Sequence, residues 1–233
     1  MAPPEAKSAN LGLADLAGGR VAIWGYGREG RAAIAALHRR FPGKALTLFC
    51  SEAEAGSLPT ERSICVRTAQ PDMNALAQFD IVIKSPGISP YKSPVPEAVQ
   101  AGVRFTSGTA LWFAENPQAR TICVTGTKGK STVSALIAHI LRKSGLRVAL
   151  AGNIGLSLLD LPDFNDPDIG RADQEPAPDW WVIELSSFQT RDFDGAPTIA
   201  VINNLYEEHL DWHVGRGQRL HVGEVPDGTG KIG

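Results

Sequence analysis

The stretch that decides the fold class reads TICVTGTKGKST at residues 121–132. Residues 121–124 predict a strand, the turn after them is rich in glycine, and residues 131–144 predict a helix. Such a turn suits a nucleoside triphosphate, because backbone N–H groups surround the phosphates, Lys130 neutralises their charge and the Ser131 hydroxyl can bind Mg²⁺. The stricter pattern has a further glycine where Val124 stands, and a chance Gly-Lys-Ser turn is the alternative. The predicted triphosphate-binding residues are Thr125, Gly126, Thr127, Lys128, Gly129, Lys130, Ser131 and Thr132.

Charged side chains follow the next two buried strands along the chain. Glu184 closes the predicted strand at 180–185, and His209 lies in the run EEHLD at 207–211, after the predicted strand at 198–202. A carboxylate that leaves a strand beside such a loop is expected to be a second Mg²⁺ ligand. His209 and its neighbouring carboxylates are candidates for a second cation or a phosphate. An exposed strand-end acid and a solvated loop histidine are the alternatives.

A second glycine turn lies near the start of the chain. Residues 25–30 read GYGREG, between a predicted strand at 20–24 and a predicted helix at 31–40. This G-x-G-x-x-G pattern predicts a diphosphate at the positive end of the helix. A nicotinamide-dependent oxidoreductase is the alternative. This alternative is weakened because Cys50 stands where an acid should bind the ribose. Ser85, Pro86 and Gly87 follow another strand of the same half, where ligands of open parallel sheets bind.

Strand and helix alternate along the chain, which predicts parallel sheets with helical crossovers. The predicted fold class is α/β: an N-terminal Rossmann-like parallel-sheet domain at 1–117, followed at 118–213 by an incomplete P-loop α/β domain. Residues 214–233 hold many glycines and show no apolar period, so they are predicted to be an aberrant glycine-rich tail.

Composition narrows the class of protein. The chain has 233 residues, a net charge of −2, 43% hydrophobic residues and 21% charged residues. These values argue against a disordered chain and against a basic nucleic-acid-binding protein. No apolar run reaches the roughly 18 residues of a membrane helix, so neither nucleic acid nor a membrane is an expected partner. Three widely spaced cysteines and a polar start without signal-peptide order favour a cytoplasmic protein.

Taken together, five motifs resemble the Mur ligases of peptidoglycan synthesis. They are GTKGKS at 126–131, GNIG at 152–155, ELSSFQ at 184–189, EHLD at 208–211 and KSPGI at 84–88. The last motif and the SSFQ run favour the glutamate-adding branch of this family over its other branches and over folylpolyglutamate synthase. The resemblance covers roughly residues 17–213 and implies the Mur ligase central domain for the second half of the chain.

The resemblance implies an ATP-dependent ligase that adds glutamate to UDP-N-acetylmuramoyl-L-alanine through an acyl phosphate. D-glutamate is the usual amino acid, and L-glutamate is the alternative. ATP and Mg²⁺ are the implied cofactors, and a monomer is implied for the full-length protein, which would serve cell-wall synthesis, cell shape and division. Catalytic roles fall on Lys130, Glu184 and His209, and Mg²⁺ ligation on Ser131, Glu184 and His209. The implied substrate-binding residues are Gly27, Arg28, Glu29, Ser85, Pro86, Gly87 and Asn153.

The resemblance stops after residue 213. The family continues there with a tyrosine and, four residues on, a lysine that is carbamylated and bridges two Mg²⁺ ions; a glutamate-binding third domain follows. Residues 214–233 supply neither side chain, so we expect a frameshift or a truncation and a chain that cannot complete ligation. A non-catalytic binding module is therefore a further possibility for this chain.

Sequencing the coding DNA through the codon of residue 214 tests the frameshift. A frameshift predicts an alternative frame that restores the tyrosine, the lysine and the third domain, whereas a truncation predicts none. If no open frame continues past this codon, the frameshift interpretation is wrong.

Overall fold

The computed structural model describes residues 11–58, 63–161, 176–192 and 195–213. The predicted tail at 214–233 lies outside these ranges. Within the described part of the chain, no helix is long and apolar enough to cross a membrane.

The first half of the chain forms a five-stranded parallel sheet in the order β3-β2-β1-β4-β5. Its strands are β1 (Val21–Trp24), β2 (Leu46–Phe49), β3 (Ile64–Arg67), β4 (Ile81–Lys84) and β5 (Arg104–Thr106). The helices between and after them are α1 (Arg28–Arg40), α2 (Glu52–Ala55), α3 (Met73–Leu76), α4 (Val95–Gln100) and α5 (Gly108–Glu115), and a 3₁₀ turn at Leu13–Leu16 comes before β1.

The second half forms a four-stranded parallel sheet in the order β7-β8-β6-β9. Its strands are β6 (Thr121–Thr125), β7 (Val148–Gly152), β8 (Trp180–Glu184) and β9 (Ile199–Ile202). Helix α6 (Lys130–Lys143) follows β6, α7 (Ser187–Arg191) follows β8, and a 3₁₀ turn at Leu158–Asp160 follows β7. The prediction of two parallel α/β sheets is confirmed, with β6 and its glycine turn between β8 and β9.

Element boundaries depart from the sequence prediction at the glycine turns. Helix α1 begins at Arg28 rather than at 31, and α6 begins at Lys130, because in each case a glycine is the N-cap and the helix starts inside the motif. Strand β5, with three residues, is not predicted from sequence. Such a short run directly after a helix shows no periodicity of its own.

One apolar core joins the two sheets. Trp112 of α5 and Trp181 of β8 are buried, and their ring centroids lie 6.1 Å apart. Leu158 and Leu159 of the 3₁₀ turn after β7 belong to the same core as the apolar face of α1. Trp112, Trp181 and Trp212 are 4%, 7% and 5% exposed, so all three serve packing.

The outer strand and helix of the second sheet carry exposed apolar side chains. Ile199 and Ile202 of the edge strand β9 are 44% and 48% exposed, and Leu136 and Ile140 of α6 are 55% and 53% exposed. This edge of the second sheet is therefore uncovered by the described residues. An edge strand with apolar side chains is a site for pairing with further strands.

An arginine–aspartate pair starts each sheet in the same way. Ahead of β7 and β8, Arg147 donates its backbone N–H to Asp179 at 2.8 Å and its guanidinium contacts the same carboxylate at 2.5 Å. Ahead of β1 and β4, Arg20 makes the same two contacts with Asp80, at 2.7 and 3.1 Å. The Arg147 hydrogen bonds lower the pKa of Asp179 to about 2.

We expect Asp179→Asn to reduce the free energy of unfolding at pH 6. Because the folded pKa of Asp179 lies below its unfolded value, this stabilisation is present above about pH 4 and disappears as the pH falls towards 2. Denaturant midpoints of both proteins, measured by circular dichroism between pH 2 and 6, check this. A difference that stays constant over this range would contradict the assignment.

Candidate functional site

The glycine-rich turn between β6 and α6 is shaped by close backbone approach. Gly126 has φ +135°, and a Cβ there would lie 2.9 Å from the Asn204 carbonyl oxygen, so only glycine fits. The Lys130 ammonium group donates hydrogen bonds to the carbonyl oxygens of Gly126 and Thr127, at 2.7 and 3.0 Å. The Lys130 ammonium group is thus bonded to its own loop. Phosphate oxygens bound to this lysine would take the place of the two carbonyl oxygens.

Two asparagines that follow β9 hold this loop, and sequence analysis missed them. The Asn203 and Asn204 side-chain amides donate to the Lys128 carbonyl oxygen at 2.7 and 2.9 Å, and the Asn204 carboxamide oxygen accepts the Lys128 N–H at 2.9 Å. Thr127 N–H donates to the Asn204 carbonyl oxygen at 3.0 Å. Their position directly after a strand that adjoins β6 is the signal that could have found them.

A cavity of about 280 Å³ opens beside the loop. It brings the predicted residues Lys130 and His209 together, and its other lining side chains come from α7 and from the segment after β9. The lining residues are Thr125, Gly126, Thr127, Lys130, Ser186, Ser187, Phe188, Thr190, Arg191, Leu205, Tyr206, Glu207, Glu208, His209 and His213. Ser131 and Thr132 are exposed in the first turn of α6.

The segment around His209 is held by aromatic packing. His209 has φ +56°, a left-handed backbone that costs on the order of 1 kcal/mol in a residue other than glycine. Its ring lies 4.8 Å from the ring of Phe188, which stacks on Trp212 at 4.6 Å. Burial lowers the pKa of His213, which adjoins the same stack. The predicted ligand His209 is therefore presented from a constrained turn at the cavity wall.

Lys128 does not offer a free charge to the loop, because its ammonium group pairs with Glu208 at 3.1 Å. The side chains of Lys128 and Glu208 are 73% and 33% exposed, and an exposed pair of this kind contributes little to stability. Lys128 lowers the pKa of Glu208.

Glu184 is buried at the end of β8, 2% exposed, with Val124 of β6 and Gly152 of β7 as its register partners. Its Oε1 accepts a hydrogen bond from the Asn153 side-chain amide at 2.8 Å. Its Oε2 is buried without a hydrogen-bond partner in the described structure. Such an oxygen is costly to bury alone, so Glu184 suits a cation.

The donor set fits Mg²⁺ rather than a metal held by protein alone. Across the described ranges, no three His, Cys, Asp or Glu side chains cluster closely enough to hold a metal ion. Mg²⁺ typically takes one or two carboxylates, several waters and the phosphates of its substrate. The unpaired oxygen of Glu184, on the strand beside the loop that carries Ser131, meets that requirement.

A second cavity of about 340 Å³ lies at the carboxyl edge of the first sheet. It brings together the predicted substrate residues Gly27 and Ser85, and Cys50, Ser51 and Glu54 line its other side. Pro86 and Gly87 continue the Ser85 turn, and the Gly87 carbonyl oxygen accepts a hydrogen bond from the Trp212 indole at 3.0 Å.

Arg28 and Glu29 contact the second half of the chain instead of this cavity. The Arg28 guanidinium donates to the carbonyl oxygens of Gly152, Asn153 and Gly155, at 3.1, 2.8 and 3.3 Å. Glu29 Oε1 accepts from the Gln189 amide at 2.5 Å. Burial raises the pKa of Glu29, against the opposing effects of Gln189 and Arg28.

A buried ion pair also joins the two halves. Lys84, at the end of β4, pairs with Asp192, at the end of α7, and the two residues are 4% and 5% exposed. Burial raises the pKa of Asp192, although the Lys84 ammonium opposes this. Next to this pair, the Arg191 guanidinium donates to the Tyr91 hydroxyl at 2.5 Å. Sequence analysis quoted Lys84 without a partner, since its partner is 108 residues away.

Two parallel sheets with a glycine-rich phosphate loop and a buried strand-end carboxylate define a P-loop α/β protein. Residues 124–220 match the Mur ligase middle domain family. The chain is 49% identical over 211 residues to the UDP-N-acetylmuramoyl-L-alanine–L-glutamate ligase of Xanthomonas euvesicatoria pv. vesicatoria, a match that covers 86% of this chain and 43% of that protein. The chain therefore carries a segment of the Mur ligase middle domain at residues 124–220 and is similar in sequence to ligases of this family.

Two further proteins are similar to this chain. The ligase of the same name from Xylella fastidiosa strain Temecula1 is 47% identical over 219 residues, covering 90% of this chain and 44% of that protein. Among solved structures, UDP-N-acetylmuramate:L-alanyl-gamma-D-glutamyl-meso-diaminopimelate ligase from Neisseria meningitides matches 83% of this chain and 63% of that chain, with a TM-score of 0.47 and 23% identity. The chain spans less than half the length of the two named L-glutamate ligases.

We expect Asp192→Ala to lower the free energy of unfolding by about 3–5 kcal/mol, because it leaves the Lys84 ammonium buried without its partner. The double variant Lys84→Met with Asp192→Leu removes both charges and should recover most of this loss. Denaturant titration of the three proteins, followed by tryptophan fluorescence, measures both effects. A double variant as unstable as the single one would show that the ion pair itself stabilises the fold.

Proposed function

We propose that this chain carries the substrate-binding domain and the first part of the ATP-binding domain of an ATP-dependent amide ligase. In this role it would act in the synthesis of peptidoglycan precursors. The observation that carries the proposal is the position of two features at the ends of the neighbouring strands β6 and β8. One is the Lys130 loop, and the other is the buried carboxylate of Glu184, whose Oε2 lacks a partner in the described structure. Phosphate-binding loop and cation-binding carboxylate are the two parts that phosphoryl transfer requires.

The proposed reaction activates a carboxylate that is otherwise a poor acyl donor. The ATP γ-phosphoryl group passes to a carboxylate oxygen of UDP-N-acetylmuramoyl-L-alanine, and ADP leaves. The amine of the incoming amino acid then attacks the acyl carbon, loses a proton, and displaces inorganic phosphate as the amide forms. The first step needs neutralisation of charge more than covalent help.

Each predicted site residue takes a role in this scheme. The N–H groups of residues 125–132 would surround the ATP phosphates, and the Lys130 ammonium would leave the Gly126 and Thr127 carbonyl oxygens for the β- and γ-phosphates. Ser131 and Glu184 would hold one Mg²⁺, and His209 would help to hold another. When bound, Mg²⁺ supplies positive charge to the phosphate oxygens.

The UDP part of the substrate is assigned to the cavity at the edge of the first sheet. Gly27 and Ser85 line this cavity, and Pro86 and Gly87, which continue the Ser85 turn, are the further contacts that we propose. Asn153, Arg28 and Glu29 remain predicted substrate contacts; in this structure their polar groups are engaged with protein.

L-glutamate is the amino acid that we propose for the complete ligase. Sequence analysis favoured D-glutamate and kept L-glutamate as the alternative. Relatives at 49% and 47% identity bear the name L-glutamate ligase, and this supports the alternative.

We expect Lys130→Ala to weaken binding of ATP by this chain on the order of 10- to 100-fold, the range for loss of a charge-assisted hydrogen bond. Titration with a fluorescent ATP analogue measures this. Lys128→Ala is the matched control, because its ammonium group pairs with Glu208, and it should change the affinity by less than about threefold. Equal effects of the two substitutions would contradict the role of Lys130.

We expect the product of the gene that carries this chain to join L-glutamate, and not D-glutamate, to UDP-N-acetylmuramoyl-L-alanine when its third domain is present. Mass spectrometry of the product formed with ATP and each enantiomer checks this, with the Xanthomonas euvesicatoria relative as a positive control. Product with D-glutamate alone would refute the assignment of the amino acid and leave the ligase assignment standing.

A further inference from the structure

Adjacent residues at the start of α1 reach the second sheet on both sides of Glu184. Arg28 reaches the loop at 152–155, which follows β7, and Glu29 reaches α7, which follows β8. Glu184 ends β8 and lies between these two segments. The glycine turn that sequence analysis assigned to a diphosphate is therefore also part of the junction between the two sheets.

Arg28 is connected to Glu184 by hydrogen bonds through Asn153. Three carbonyl oxygens of the loop at 152–155 accept hydrogen bonds from the one guanidinium group, which fixes the path of the loop. Asn153 then donates its backbone N–H to the Glu184 carbonyl oxygen and its side-chain amide to Glu184 Oε1, both at 2.8 Å. Gly152, at φ +100°, permits this approach, since a Cβ there would lie 2.3 Å from the Glu184 carbonyl oxygen.

Glu29 is connected through Gln189 to α7, the helix that follows Glu184. The Gln189 Oε1 accepts hydrogen bonds from the N–H and the hydroxyl of Ser186 at 3.0 and 3.1 Å, and so caps α7 two residues after Glu184. The Gln189 amide nitrogen donates to Glu29 at 2.5 Å and to Thr109 at 3.4 Å. Gln189 is 2% exposed, so water does not compete for these contacts.

We propose that Arg28 and Glu29 are positioning residues for the Glu184 region: Arg28 holds the loop of Asn153, which bonds the carboxylate, and Glu29 holds Gln189, which caps the helix that follows Glu184. This inference rests on the proposed function, in which Glu184 binds Mg²⁺. In this arrangement Glu184 Oε1 accepts the Asn153 hydrogen bond, and Glu184 Oε2 stays unpaired so that it can bind the cation. The first domain thereby sets the geometry of the metal site in the second domain.

This role differs in its consequences from direct contact with a substrate diphosphate. A diphosphate ligand would change the affinity for UDP and leave the Glu184 region as it was. A positioning residue acts on metal binding through hydrogen bonds to the metal ligand. Loss of one such partner lowers the metal affinity by about 10- to 100-fold.

The test uses the 233-residue chain and the variants Arg28→Ala, Arg28→Lys and Glu29→Ala. Arg31→Ala is the matched control, since it removes the same charge from the same helix while its guanidinium contacts the Tyr26 carbonyl oxygen and the Tyr26 ring, not the second sheet, among the described residues. Binding of a fluorescent, non-hydrolysable ATP analogue is measured with and without Mn²⁺, and UDP binding is measured in parallel. Amide hydrogen exchange of the ligand-free proteins is the second readout.

We expect Arg28→Ala and Glu29→Ala to reduce the Mn²⁺-dependent gain in nucleotide affinity by about tenfold, with metal-free nucleotide affinity unchanged. In Arg28→Ala, exchange of the Gly152 and Asn153 amides should rise by about tenfold, whereas the Thr127 amide keeps its rate. Arg28→Lys should fall in between, and Arg31→Ala should match the wild type.

Two outcomes would overturn the proposal. One is a loss of UDP affinity in Arg28→Ala with an unchanged Mn²⁺ effect and unchanged exchange, which would make Arg28 a substrate ligand. The other is an equal effect of Arg31→Ala. If the wild-type chain binds no nucleotide, the proposed function fails on this chain, and the exchange at Gly152 and Asn153 alone decides whether Arg28 holds the Glu184 region.

Discussion

In a parallel sheet every strand brings its carboxyl end to the same edge, because all strands run in one direction and each returns through a crossover. The candidate site of this chain depends on that constraint. Strand β6 leads into the glycine-rich loop, its neighbour β8 ends in Glu184, and its other neighbour β9 is followed by Asn203 and Asn204. Side chains that are up to about 80 residues apart in sequence thus meet within hydrogen-bond distance. The first sheet repeats the arrangement with the Gly25–Gly30 and Ser85 turns.

The two edges face each other across a junction that is apolar at its core and polar where it meets the site. Trp112, Trp181 and the leucines at 158 and 159 supply buried area, which favours association but does not set a unique geometry. Directional contacts set that geometry: the Lys84–Asp192 ion pair and the Glu29–Gln189 hydrogen bond are buried and leave little freedom to shift. Groups of this kind stabilise less than their number suggests, but they make misaligned arrangements expensive.

Much of the fold and of the site could be predicted from residue order. The two parallel sheets, helices α1 and α6 and the loop at 125–132 follow from apolar runs, glycine turns and Gly-Lys-Ser spacing, whereas the one-turn helices α2, α3 and α7 were not predicted. Strand β5 could not be predicted, because three residues carry no period. Asn203, Asn204, Asp192 and Gln189 were not assigned to the site, since asparagine, aspartate and glutamine after a strand or in a short helix are common at any surface. Their roles depend on which strand lies beside them.

The sequence by itself determined the class of chemistry, because a lysine and a serine after two closely spaced glycines suit phosphate and Mg²⁺ wherever a strand precedes them and a helix follows. It also carries motifs whose combination is similar to that of the Mur ligases. Only the tertiary structure decided what Arg28 and Glu29 contact. Local spacing made them candidates for a diphosphate, but the Arg28 guanidinium bonds the loop at 152–155 and Glu29 Oε1 bonds Gln189, 124 to 160 residues away. A side chain takes the partner that is nearest in space, and packing of one sheet against the other sets that distance.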